Sequence, residues 1–209
     1  MMTLPLLQLD KIKEFIEPKR ILDIGANVGG WYNECLHSFP DSYIFSIEAN
    51  EECEDALKAV NPNYRIALLT KENKEYDFYV NDIYRSTGNS IYKELTEHYT
   101  EANTRIVKKQ GTRLDDIFTN EYFDLIKMDV QGAELDIIKG GPKMIQASHG
   151  LILETALKEY NESSPMYDEV VAYLETIGFK QILVLDNLTH NNEVYHQDIF
   201  FLNENIIRN

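Results

Sequence analysis

A glycine-rich turn and two well-spaced acids carry the chemistry this chain can do. The turn is Asp23-Ile24-Gly25-Ala26-Asn27-Val28-Gly29. It leaves the apolar stretch Arg20-Ile21-Leu22 and enters a helical pattern at Trp31. Gly25 and Gly29 let backbone approach a ligand without a Cβ in the way. Asn27 tolerates unusual backbone angles and offers an amide. Glu48 closes a second apolar run, Ile44-Phe45-Ser46-Ile47, at the distance along the chain where an acid grips ribose hydroxyls. Ala49 and Asn50 follow where an adenine edge would lie.

The glycine spacing is Gly-x-Asn-x-Gly, not Gly-x-Gly-x-x-Gly. A dinucleotide needs a helix N-terminus aimed at its pyrophosphate. A sulfonium cofactor carries no phosphate, and its amino-acid part fits against Asp23 and the loop amides. The pattern therefore points to S-adenosylmethionine before NAD. An ordinary strand-turn-helix is the bland alternative for the loop taken alone.

The second constellation is Lys127-Met128-Asp129-Val130-Gln131-Gly132-Ala133-Glu134. Asp129 ends an apolar strand, facing the position of the cofactor's methyl group. A carboxylate there either accepts the proton of a substrate hydroxyl or ligates a divalent cation, Mg2+ or Mn2+, that acidifies the hydroxyl. Glu154, at the end of the adjacent strand, is the second catalytic candidate and the second oxygen ligand. Glu134 opens the next helix, where an acid also complements the helix dipole. The loop Ser86-Thr87-Gly88-Asn89-Ser90 is rich in small donors. Its Ser90 is placed to close over the cofactor, although such loops are as often plain turns. His190 falls between the last two strands, as a rim base or a surface residue. His37, His98, His149 and His196 lack metal spacing and receive no role.

The elements that must position these residues read as an α/β chain. A leading helix over residues 6–16 stops before Pro18, within a leading segment 1–18. Strands are expected at 20–24, 43–47, 65–69, 123–129 and 150–154, with helices at 28–39, 51–60, 113–119, from 134, and 166–177. Thr112 is placed to cap the third of these helices, and Gly178 to end the last. Residues 72–110 form an insertion or lid, with extended segments at 75–81 and 104–110 and a short helix or mobile piece at 91–99. Strands at 179–186 and 198–203 are joined by too few residues for a crossover helix, so they pair antiparallel. Five βα units and this pair give one domain over 1–209, a doubly wound seven-stranded sheet with a reversed edge. Acids or glycines end four strands on one rim, where ligands of open α/β sheets bind.

The 209 residues suit one sizeable core, and the net charge of −15 repels phosphate backbones, so nucleic acid is not the expected substrate. Cys35 and Cys53 lack CxxC spacing and read as reduced thiols. No apolar run reaches the roughly 18 residues that span a bilayer. The first ten residues lack the charged and apolar regions of a signal peptide, and the expected location is the cytoplasm.

Taken together these motifs resemble the FkbM family of S-adenosylmethionine-dependent methyltransferases. The resemblance rests on Asp23 to Gly29, Ile47-Glu48-Ala49-Asn50, Gly88-Asn89-Ser90 and Thr112-Arg113-Leu114-Asp115-Asp116-Ile117. Its most specific part runs from Ile126 to Gly141. The family usually has Glu where this chain has Gln131. The resemblance implies a class I methyltransferase Rossmann-like fold and methyl transfer to a hydroxyl of a sugar, glycolipid or secondary metabolite. It implies that Asp23, Gly25, Asn27, Gly29 and Glu48 hold the cofactor, with Asp129 at the reacting centre. The metal extends this by similarity to catechol-type O-methyltransferases. A saccharide or glycoconjugate acceptor also brings in glycosyltransferases, as fused or cooperating modules. Two other readings remain: an NAD-dependent oxidoreductase, and a non-catalytic interaction module on the same fold.

Overall fold

In the computed structural model, residues 8–83, 87–97, 99–190 and 192–207 are described, without the side chains of His190 and Ile207. The first two residues of the expected leading helix (6 and 7), Ser86, His98 and the side chain of His190 lie outside them. A 3-10 helix, Leu9–Glu14, comes first, where an α-helix was expected; Leu9 and Ile12 alone are buried in it, and Pro18 follows closely.

The strands are β1 (Arg20–Ile24), β2 (Tyr43–Glu48), β3 (Tyr64–Ile66), β4 (Leu68–Leu69), β5 (Glu75–Asn81), β6 (Thr104–Thr112), β7 (Leu125–Met128), β8 (Gly150–Ala156), β9 (Phe179–His190) and β10 (Glu193–Asn203). The helices are α1 (Gly30–Ser38), α2 (Glu54–Val60), α3 (Leu114–Ile117), α4 (Glu134–Gly140), α5 (Pro142–Ala147), α6 (Tyr167–Thr176) and α7 (Glu204–Ile207). Seven strands form one sheet in the order β3-β2-β1-β7-β8-β10-β9. Strands β1, β2, β3, β7 and β8 pair in parallel, and β10 runs antiparallel to both β8 and β9.

The central strands are apolar because both faces are covered. Alternate residues point to opposite sides. Leu22, Ile126, Leu151 and Phe201 enter the core shared with α4, α5 and α6. Ile21, Leu125, Ile152 and Phe200 enter the core shared with α1 and the 3-10 helix.

The reversed strand does not lie at the edge. β10 sits between β8 and β9, so β9 is the edge strand. The polar stretch expected as a loop instead extends both strands, to His190 and from Glu193. The expected third strand is split: β3 stays in the main sheet, and β4 joins a small sheet ordered β4-β6-β5. Residues 91–97 form turns and bends, not a helix, and are tied to the chain beyond β8 by a Glu94–Asn161 bridge. Thr112 ends β6 and does not cap α3, whose N-cap is Arg113.

Candidate active site

The carboxyl ends of β1, β2 and β7 open onto a cleft of about 770 Å³, counting the open solvent at its mouth, roofed by residues 87–91 of the insertion. Gly25, Asn27, Glu48, Ala49, Ser90 and Asp129 line it; Asp23, Gly29, Asn50 and Glu154 do not.

The glycines serve packing more directly than ligand approach. A Cβ on Gly25 would overlap the Asp129 carbonyl oxygen, so the turns after β1 and β7 interlock there. Gly29 (φ +84°) packs against Val60 and Leu57 of α2. Asn27 holds a left-handed conformation at φ +49°.

Asp23 is wholly buried inside β1, beneath the cleft, which corrects its expected place at the rim. Its oxygens have no hydrogen bond, and its nearest cation is the Lys127 ammonium at 3.7 Å. Burial, only partly opposed by Lys127, pushes its carboxyl up to about 6. Asp23 therefore neutralises a buried lysine and does not itself line the cleft.

Glu48, 8% exposed, stitches the turns after β1 and β2 together. Its Oε2 accepts the backbone N–H of Asn27 at 2.7 Å, and its Oε1 that of Asn50 at 2.7 Å. Burial raises the carboxyl and these backbone amides lower it, with a net upward shift. Ala49, Ala67, Leu68 and Phe78 give the same end of the cleft an apolar wall. The buried Asn50 side chain accepts from Glu52 N–H at 3.1 Å and starts the following 3-10 turn, so it caps and does not contact the cleft. Ser90 donates its hydroxyl to the Gln131 carbonyl at 2.8 Å and accepts the Tyr92 N–H. It latches the insertion onto the turn after β7.

Asp129 follows β7, and its side chain is 40% exposed. Lys127 Nζ lies 3.3 Å from its Oδ2, and Gln131 Nε2 donates to its Oδ1 at 3.0 Å. The same Gln131 amide donates to Glu154 Oε2 at 2.7 Å. Burial pushes the Asp129 carboxyl up, but Lys127 and the Gln131 hydrogen bond outweigh it and hold the group below the ordinary carboxylate value. Glu154 stands within β8, short of its end, and is shifted upward by burial and by Asp129. Glu134 accepts the Val130 N–H at 3.0 Å; burial and the Glu154 charge push it up to about 8.

This donor set does not fit the expected divalent cation. An amide N–H2 group stands between the Asp129 and Glu154 carboxylates, and an ammonium occupies the other side of Asp129. Amide and ammonium donors present hydrogens, where Mg2+ or Mn2+ requires oxygen lone pairs. Among the described residues, no group of three or more His, Cys, Asp or Glu converges to hold a metal.

Three residues of the site went unassigned in the sequence. Lys127 and Gln131 stand inside the quoted motif, and a lysine between Ile126 and Met128 signals a buried ion partner. His196 gives no such signal. Its Nδ1 lies 3.1 Å from Glu154 Oε1 only because β10 pairs with β8, placing His196 diagonal to Glu154 across the sheet. Burial lowers His196, but Glu154 outweighs it and raises the imidazole above its ordinary value.

Comparison with known proteins adds a family and a fold. Residues 23–180 match the methyltransferase FkbM domain family. A methyltransferase FkbM from Methylobacillus flagellatus superposes with TM-score 0.56 at 14% identity, over 88% of this chain and 44% of that one. The present chain thus spans less than half the length of that protein. The N-terminal domain of EvdMO1, solved with SAH bound, gives TM-score 0.51 at 17% identity, over 93% of this chain and 78% of that one. No curated protein matches.

Proposed function

The chain belongs to the FkbM methyltransferase domain family, and from that membership we propose that it transfers a methyl group from S-adenosylmethionine to a hydroxyl oxygen of a sugar or glycan. The supporting observation is that Glu48 and Asp129 open onto one cleft from strands that flank β1. On this reading Glu48 takes the ribose hydroxyls, and Ala49, Leu68 and Phe78 flank the adenine. Gly25 and Asn27 border the amino-acid end. The sulfonium lies toward Asp129, where a carboxylate attracts a cation.

The reaction is an in-line displacement. The acceptor oxygen attacks the methyl carbon, the carbon–sulfur bond breaks, and S-adenosylhomocysteine leaves with the electron pair. The hydroxyl proton passes to Asp129. Much of the rate comes from positioning, because an alkyl hydroxyl is a poor nucleophile at neutral pH. The proton reaches Asp129 without a metal step, since the donors around it do not fit a cation. The acceptor is not nucleic acid: the net charge is −15, and the basic pair Lys108 and Lys109 is neutralised by Asp77 and Glu51.

The experiment is to incubate the chain with methyl-tritiated S-adenosylmethionine, a panel of saccharides and glycolipids, and excess chelator. Label in an alkali-stable methyl ether supports the proposal. Label only in an alkali-labile ester overturns the hydroxyl acceptor, and label only on nitrogen overturns O-methylation.

A further inference from the structure

His196 is 3% exposed, and its Nε2 is buried without a hydrogen-bond partner among the described residues. An orphaned ring nitrogen costs folding free energy. An apolar side chain would avoid that cost, so an explanation has to come from the other nitrogen. Nδ1 lies 3.1 Å from Glu154 Oε1. The ring is held by β10 pairing with β8 and by a T-shaped contact with Tyr160, with ring centroids 4.8 Å apart. From Glu154 the contacts continue through Gln131 Nε2 to Asp129 Oδ1, at 2.7 and 3.0 Å. Gln131 is itself held at φ +55°, a backbone conformation that needs such support.

We propose that His196 is a positioning residue for methyl transfer: it anchors Glu154, and through the Gln131 amide it fixes the Asp129 carboxylate toward the cofactor's sulfonium. This rests on the S-adenosylmethionine reading above. Without His196, Glu154 is tied at one end only and the amide clamp loosens. Asp129 then settles on Lys127, which already lies 3.3 Å away. The His196 ring does not touch the reacting atoms.

The proposal is tested without an acceptor, by titrating S-adenosylmethionine and S-adenosylhomocysteine separately into the chain. The two differ by the methyl group and its charge, so their affinity ratio reads the field of Asp129. His196→Ala should reduce the preference for S-adenosylmethionine about three- to tenfold, leaving S-adenosylhomocysteine affinity within about twofold. His196→Asn, whose amide can donate to Glu154 from nearly the same place, should restore the preference. Gln131→Leu cuts the chain of contacts one link nearer Asp129 and should reproduce the loss, which covers the case where His196→Ala does not fold. An unchanged ratio in Gln131→Leu, or equal weakening of both ligands in His196→Ala, overturns the proposal. If the wild-type chain binds neither ligand, the cofactor reading falls and takes this proposal with it.

Discussion

At the scale of single residues, the account turns on how differently Asp129, Glu48, Glu134 and Asp23 are held. Asp129 is kept below the usual carboxylate range by Lys127 and Gln131, so it is ionised, as the proposed proton acceptor has to be. Asp129→Asn should lower turnover about a hundredfold or more, while S-adenosylhomocysteine binding measured by calorimetry stays within a few-fold. Unchanged turnover removes Asp129 from the mechanism. In the proposed function Glu48 takes the ribose hydroxyls, and on that reading Glu48→Ala should weaken cofactor affinity by about 1–3 kcal/mol, since it removes both the diol partner and the stitch between two turns. Glu134 is raised to about 8. Its charged form is disfavoured in the fold, so stability falls as pH rises from about 4.5, the unfolded value, through 8. Glu134→Gln keeps an acceptor for the Val130 N–H. It should raise the melting temperature by an amount that grows across that window and is absent at pH 4. A constant difference at all pH values would contradict the assignment. Asp23 shows what a sequence hides at this scale. Its type and position read as a rim acid, but its partner Lys127 lies on the neighbouring strand, and only the β1–β7 register brings the two together.

At the scale of elements, two turns interlock. The chain after β1 passes so close to the Asp129 carbonyl that only glycine fits at position 25. Gly25→Ala should destabilise the fold by about 3 kcal/mol, because the clash is with backbone and the φ of +79° is also unfavourable for alanine. Thermal unfolding checks this; a loss below about 0.5 kcal/mol would show that the turns separate easily. The order of strands and helices was legible because apolar runs alternate with helical patterns between clear breakers. Boundaries set by long-range pairing were not. The break between β3 and β4 is made by β6, which draws Leu68 and Leu69 into the small sheet. The length of β9 and β10 follows from their pairing with each other, and their polar alternation reads equally well as loop. His196 was hidden for the same reason: its contact with Glu154 follows from β10 lying beside β8, and local sequence does not encode that neighbour.

At the scale of the whole molecule, six strands running one way and an antiparallel one inserted among them carry a cleft walled by the turns after β1, β2 and β7 and by residues 87–91. No helix among the described residues is long and apolar enough to cross a membrane. The cleft carries acids on a chain whose net charge is −15, a field suited to a cationic sulfonium and weaker for the neutral thioether product. Methyl transfer should proceed undiminished in excess chelator. Loss of activity on chelation with recovery on added magnesium would contradict the reading that the Gln131 amide and the Lys127 ammonium take the place of a cation at Asp129. The central claim is that the cleft holds S-adenosylmethionine, and the most direct measurement is calorimetric titration of S-adenosylmethionine, S-adenosylhomocysteine and NAD into the purified chain. The account predicts micromolar binding of the first two and no heat from NAD. Binding of NAD, or silence from all three, would contradict it.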